Sequence, residues 1–521
     1  MLANMPQAGD VVTERGSRLR SGHRLTMLLS LNACLSIRAL DFGCRPLSLA
    51  FLLALGLALF CHASAAGAGT IDKLIAKLGL GEAELGFIVI DPATGQSLAQ
   101  RNADKLFLPA SVSKLATVYA ALQILGPSYK FPTQLLRQGG NLYLQGGGDP
   151  VLTANDLQGM AIELKAANAG PITRFFYDDS LMAALPEINA DQPVAAEYNC
   201  GIGALDLDFN RIEILWSRPV AGGSLEFQAR SIADGLEVPT GWIGFEPAAE
   251  DLPPEMPFLY AGDGKADRWR YARSLPDSGT SFLPVKGTSL QTALVFAQLT
   301  LGEGISLPQP APGHVPAGAV LVGRSESPPL AEIIRGLMRY SNNSTAELIG
   351  LAASRALTGR ALSPQQSSLA LASWLEARLP RTDWRGFALE YHSGLTPNSR
   401  VSPRQMAAIL GLAASDAALM QSLPPLDKNG EPAAPGDAPP LRSVQGKSGT
   451  MDYASALAGF FPARDGRELA FAVFVFDPAR RAAFDATRDI RVLAPTPEAL
   501  DWTRRARKLE AQLLTGWLGA F

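Results

Sequence analysis

Three short elements, far apart in the chain, limit how it can fold. Ser111 and Lys114 stand three residues apart in the apolar stretch "PASVSKLATVYAAL" (109–122). Ser341, Asn342 and Asn343 begin 230 residues after Ser111, in "YSNNSTAELIG". Lys447-Ser448-Gly449 lies near the other end, in "GKSGTM", ahead of two strand-like runs. Each has an ordinary explanation by itself: a helix cap followed by a surface lysine, a pair of capping residues at a helix start, a β-turn. Their rarity argues for more. Of eleven lysines only Lys114 has a serine three residues before it, and Lys-[Ser/Thr]-Gly occurs once. Positions i and i+3 of a helix share a face, so Ser111 and Lys114 can reach one spot. A serine hydroxyl is a weak nucleophile that needs a base at hydrogen-bond distance, and a neutral lysine amine can serve. The lysine pKa must then fall from about 10.4 toward 7, a destabilisation of the ammonium of about 4–5 kcal/mol. Burial and a second cation are the usual means.

The first 65 residues read as a leader. Arg38 and Arg45 precede the apolar run "PLSLAFLLALGLALF" (46–60), and Ala63 and Ala65 offer small residues for cleavage near Ala65. The run is shorter than the roughly 20 residues needed to span a bilayer. Residues 1–65 carry six basic and three acidic side chains, so their loss would take the formal net charge from −3 to −6. An acidic chain is a poor candidate for nucleic acid binding. Cys200 is the one cysteine beyond the leader and is expected to pack as a small apolar residue. His314 and His392 are the only histidines there, and no His/Cys/Asp cluster has metal-ligand spacing, so neither metal nor cofactor is expected. A Ser-His-Asp triad would have to use one of these histidines, and neither sits in a nucleophile-elbow context.

The remaining 456 residues are long enough for two or three domains. Patterning predicts a helix at 71–80, two strands within 84–104, the motif helix at 111–125 and a strand at 141–145 running into a Gly-Asp-Pro turn. Residues 170–285 are rich in β-formers, and "LPQPAPGHVP" (307–316) reads as a linker. Helical patterns then dominate, at 328–340, 343–358, 366–378 and 403–421. After a Pro/Gly-rich loop (424–440) come the third element and its strands. In the last helix, 497–518, Trp502, Leu509, Leu513 and Trp517 form a stripe expected to be core, though contact with a membrane surface is left open.

Taken together and in this order, the three elements resemble the active-site signature of the penicillin-recognising serine enzymes. The long gap between the first two is similar to that of the class C low-molecular-mass penicillin-binding proteins, the D-alanyl-D-alanine carboxypeptidase/endopeptidase family. "LYLQGGGDPVLT", "FYDDSLM", "GALDLDFN", "SGLTPNSRVSP" and "SALAGFF" resemble that family too. Two departures stand out. Tyr391-His392 replaces the usual Asp-Gly before Ser-Gly-Leu, and the match weakens between about 211 and 285.

The resemblance implies an α/β (α+β) protein. A transpeptidase/β-lactamase-like domain, an antiparallel sheet flanked by helices, would come from residues 66–130 and 318–521. A large β-rich insertion would occupy 131–317. Lys447 would lie on the edge strand of the sheet, facing Ser111. It implies an exported, periplasmic DD-peptidase acting on peptidoglycan stem peptides through an acyl-enzyme, with β-lactams as covalent inhibitors. Ser111 would be nucleophile and Lys114 base. The backbone N–H groups of Ser111 and Thr450 would form the oxyanion hole. Ser341 would relay a proton, Asn343 would hold the acylated peptide, and Lys447 would supply positive charge. Ser448 and Thr450, with Gly449 between them, would bind the substrate carboxylate. Asp178, with Asp179, falls where the family places an acidic pocket for the cross-linking diamino acid. Two other readings stand beside this one: a β-lactamase or esterase of the same fold, and a non-catalytic receptor for wall fragments. Oligomeric state is left open.

Overall fold

The computed structural model describes residues 69–168, 170–233, 235–263, 266–433, 444–488 and 496–521. The leader with its cleavage site, and much of the 424–440 loop, lie outside them. The main sheet takes strands from both ends of the chain, in the order Gln445–Met451, Ala454–Pro462, Glu468–Phe476, Glu84–Ile90 and Ser97–Arg101. Every pairing in it is antiparallel. Glu84–Ile90 is sandwiched between helices, which is why "GFIVI" reads as a continuous apolar run rather than an alternating one. Phe87 and Val89 pack in one cluster with Trp502, Leu509, Leu513 and Trp517 of the final helix Pro497–Ala520. Ile88 and Ile90 pack in the other, with the serine helix Lys114–Leu125. The stripe on the last helix is therefore core. Among the described residues no helix is long and apolar enough to cross a membrane.

Lys114 through Leu122 are all buried. A helix apolar all round belongs inside a bundle, and this one packs against Asn343–Thr358, Pro364–Arg378 and Pro403–Ala413 on the side away from the final helix. The antiparallel sheet flanked by helices agrees with the α/β fold expected from the three elements.

The insertion holds three further sheets. The first is five-stranded and mixed, in the order Pro310–Pro312, Arg174–Asp178, Asn141–Gln145, Pro132–Gln138 and Val320–Glu326. A four-stranded sheet (Ser278–Pro284, Arg211–Ser217, Glu226–Ala233, Leu236–Pro239) and a three-stranded one (Phe258–Tyr260, Arg268–Tyr271, Gly244–Pro247) follow. The stretch from 211 to 285, where the resemblance weakens, supplies the strands of these two sheets. One expectation is corrected here. The proline-rich segment is no free linker: Pro310–Pro312 pairs with Phe175–Tyr177 as an edge strand, a place where a missing N–H costs little. Beyond it, Val320–Glu326 pairs with Pro132–Gln138. Two unforeseen helices, Ala154–Ala166 and Thr288–Gly302, cover the five-stranded sheet. The run 403–421 is broken into Pro403–Ala413 and Ala417–Ser422, the second capped by Asp416.

Candidate active site

Ser111 sits in a 3₁₀ turn, Ala110–Ser113, that leads directly into the serine helix. Ala110 is held at φ 46°, a left-handed conformation that costs an L-residue about 1–2 kcal/mol. Two close approaches hold the turn. A Cβ on Gly449 would come within 2.8 Å of the Pro109 carbonyl oxygen and 2.9 Å of the Ser111 nitrogen, so the edge strand can lie against the turn only because residue 449 is glycine. Gly394, at φ 77°, presses as closely on the Ala110 carbonyl.

Lys114 is completely buried. Its Nζ lies 2.9 Å from Ser111 Oγ, 2.9 Å from Asn343 Oδ1 and 2.8 Å from the Ser393 carbonyl oxygen. Asn343 is oriented in turn: its Nδ2 donates to the Tyr198 carbonyl, which leaves Oδ1 facing the lysine. Two of the three partners, an amide oxygen and a carbonyl, can only accept. Once Nζ gives up a proton, its two remaining N–H bonds serve them and its lone pair points at Ser111 Oγ. Burial pushes the Lys114 pKa well below its ordinary value, the nearby Lys447 ammonium pushes it further, and Glu347 partly opposes both.

Lys447 is also buried, on the sheet's edge strand, with Nζ donating to the Ser448 carbonyl at 2.7 Å. Burial lowers its pKa to about 8, with Glu431 acting to raise it and Arg507 to lower it. Gly446 N–H donates outward, to Pro424. Strand alternation then turns the N–H groups of Ser448 and Thr450 to the same open edge, past the Ser111 nitrogen. Ser448 Oγ donates to Glu431 Oε2 at 2.9 Å, and Thr450 Oγ1 accepts from Arg507 Nη2 at 2.8 Å.

The second element differs in detail from expectation. Ser341 does not open a helix. It closes the preceding one, Leu330–Tyr340, at φ 58°, and Asn342 caps the next through a bond from the Thr345 N–H. Asn343, not Ser341, makes the bond from this element to Lys114. Asp178 is not brought to the cluster either. It ends a strand of the inserted sheet, buried, accepting from Gln145 Nε2, Ser180 N and Oγ, and Val315 N, with His314 3.6 Å away. Its carboxylate is committed to holding that loop. The departing pair Tyr391-His392 is structural: Tyr391 Oη accepts from Gln365, and His392, kept neutral by burial with a pKa of about 3, bonds Ser367 through Nε2. A histidine so placed offers Ser111 no base. Cys200 is buried and free, as expected.

Sequence reasoning missed Glu347. It lies one turn after Asn343, is fully buried, and accepts from the N–H groups of His392 and Ser393. It thereby fixes the loop whose carbonyl binds Lys114. Its signal was present: it is the only acidic residue in Asn343–Thr358.

Comparison with known proteins decides the family. The model of the D-Ala-D-Ala carboxypeptidase 3 (S13) family matches residues 68–493. The chain belongs to that family. It is 27% identical over 465 residues to the D-alanyl-D-alanine carboxypeptidase of Actinomadura sp. strain R39, covering 77% of this chain and 79% of that protein. It is 26% identical over 445 residues to D-alanyl-D-alanine carboxypeptidase DacB of Haemophilus influenzae, covering 78% and 88%. The crystal structure of penicillin-binding protein 4 from H. influenzae shares the fold, with a TM-score of 0.68 at 23% identity over 86% of this chain and 99% of that one. Membership makes this S13 chain a peptidase of the D-Ala-D-Ala carboxypeptidase kind.

Proposed function

We propose that this S13 enzyme is exported to the periplasm and cuts peptidoglycan stem peptides through an acyl-enzyme on Ser111. Both carboxypeptidase and endopeptidase cleavage fall within the reading, because each breaks a bond on the carboxyl side of a D-alanine. The observation that carries it is the buried Lys114 amine, 2.9 Å from Ser111 Oγ, with its other two partners restricted to accepting.

Ser111 Oγ attacks the carbonyl of the penultimate D-alanine while its proton passes to Lys114 Nζ. The oxyanion is met by the N–H groups of Ser111 and Thr450, each such donor worth about 10²–10³ in rate. As the C–N bond breaks, the proton returns to the departing D-alanine amine by way of Ser341. Asn343 holds the acyl chain's amide. Lys447 and Thr450 receive the substrate carboxylate, while the Ser448 hydroxyl, whose hydrogen goes to Glu431, does not. Water then attacks the ester and frees Ser111. A β-lactam follows the same first step and leaves a slowly hydrolysed adduct. The β-lactam complex solved for the H. influenzae protein supports this as an analogy. Asp178 is withdrawn from the substrate-binding set, since its carboxylate is fully engaged elsewhere.

Intact mass after mixing with benzylpenicillin, beside a Ser111→Ala control, tests the reading. A gain of one penicilloyl group on the native enzyme alone is expected. No adduct and no loss of penicillin would overturn the mechanism in favour of a receptor, and no adduct with rapid loss of penicillin would favour a β-lactamase.

A further inference from the structure

The final helix reaches the edge strand of the main sheet through Arg507. Arg507 donates from Nη2 to Thr450 Oγ1 at 2.8 Å and pairs with Glu431 Oε1 at 2.7 Å. Glu431 meanwhile accepts from Ser448 Oγ through its other oxygen, at 2.9 Å. Arg507 and Glu431 thus contact the two hydroxyls that flank Gly449, and each leaves its hydroxyl in a different state. A hydroxyl has one hydrogen to give. Ser448 gives its hydrogen to Glu431. Thr450, exposed on the strand edge, accepts from the guanidinium and keeps its hydrogen for a newcomer. A guanidinium–hydroxyl–carboxylate chain is charge-assisted, so an anion arriving at Thr450 is held more strongly than a neutral group. Glu431 works against it, because its negative charge already lies beside Arg507.

We propose that Arg507, acting through Thr450, sets this enzyme's preference for substrates ending in a free carboxylate, and that Glu431 opposes that preference. The inference rests on the reading of Thr450 as a carboxylate-binding residue. Arg507 is a positioning residue, since it acts through the threonine.

The test compares a peptide ending in D-alanyl-D-alanine with its C-terminal amide, measuring kcat and KM on the full chain. Arg507→Met is expected to lower the carboxylate-to-amide ratio of kcat/KM by about 10- to 100-fold, the worth of a hydrogen bond to a charged group. The loss should fall mainly on KM for the carboxylate peptide, with the amide unaffected. Glu431→Gln is expected to raise the same ratio several-fold. In a Thr450→Val background, Arg507→Met should add nothing further. An unchanged ratio in Arg507→Met, or equal losses on both peptides, would overturn the inference. Should Arg507→Met fail to fold, as judged by thermal melting, Glu431→Gln decides: a raised ratio supports the inference, and an unchanged or lowered one overturns it. Native enzyme that cleaves neither peptide and takes up no penicillin would overturn the underlying mechanism and this inference with it. Cleavage with an unmoved ratio would overturn this inference alone.

Discussion

Lys114, at the start of the serine helix, and Lys447, on the sheet's edge strand, lie within electrostatic reach of each other, and their environments differ more than their burial does. Both are cut off from water, and in both desolvation is the main force lowering the pKa. Lys114 has three oxygen partners, two of them unable to donate, so loss of a proton leaves its lone pair aimed at Ser111. Lys447 gives one hydrogen bond, to the Ser448 carbonyl, among the described residues. As an ammonium it has two further N–H groups to offer an anion. Desolvation supplies the raw perturbation in each case. The number and kind of partners decide whether it yields a base or a charge.

The largest test of this contrast replaces each lysine by methionine, which fills similar space without leaving an unpaired charge. Lys114→Met is expected to slow acylation by benzylpenicillin about 10³-fold or more, within the range lost with a general base. Lys447→Met is expected to cost about 10²-fold, most of it in KM for a carboxylate substrate, as suits a residue that binds rather than reacts. Lys447→Met should not melt lower than the native protein, because a buried charge is costly to hold. Lys114→Met, by contrast, leaves the Asn343 and Ser393 oxygens without a donor and should cost about 1–3 kcal/mol of stability. Acylation rates and melting curves decide it. Equal kinetic losses in both variants would erase the distinction.

A smaller effect separates them by pH. The Lys447 ammonium is present below about 8 and is lost as pH rises through that value, so KM for the carboxylate peptide should climb above about pH 8. The C-terminal amide should show no such rise. In Lys447→Met the climb should vanish. KM profiles on the two peptides are the measurement, and a climb that survives the substitution belongs to another group.

What could be read in advance follows the same line between local and distant contacts. Ser111 and Lys114 are neighbours on one turn, so spacing alone placed them together. The final helix declared its buried face through Trp502, Leu509, Leu513 and Trp517, and the apolar run at 84–90 announced a strand covered on both sides. Contacts between distant segments were not legible. Glu347 reaches His392 and Ser393 across 45 and 46 residues, and Arg507 reaches Thr450 across 57. The helix Ala154–Ala166 did carry a sign, the Thr153–Asp156 capping box at its start. Pro310–Pro312 misled for a physical reason: four prolines in ten residues signal a loop, yet an edge strand tolerates them where the absent N–H faces away from the ladder. For Asp178 nothing in the sequence signals how many donors surround its carboxylate, and only the fold reveals them.

The smallest effect concerns Ser341, the hydroxyl through which the proposed mechanism returns the proton to the departing amine. Its φ of 58° lies in the region that glycine tolerates and serine does not favour. Alanine and glycine at this position both remove the hydroxyl, so Ser341→Ala and Ser341→Gly should lose activity on the peptide to the same extent. They should part in stability. Ser341→Ala keeps the left-handed strain, while Ser341→Gly relieves it at the cost of a freer unfolded chain, a net advantage to glycine of about 1 kcal/mol or less. A difference in denaturant midpoint without a difference in kcat/KM would show that the strain at 341 only positions the hydroxyl. If Ser341→Gly kept native activity, the backbone conformation alone would carry the role, and the proton would have to return to the departing amine through some other group.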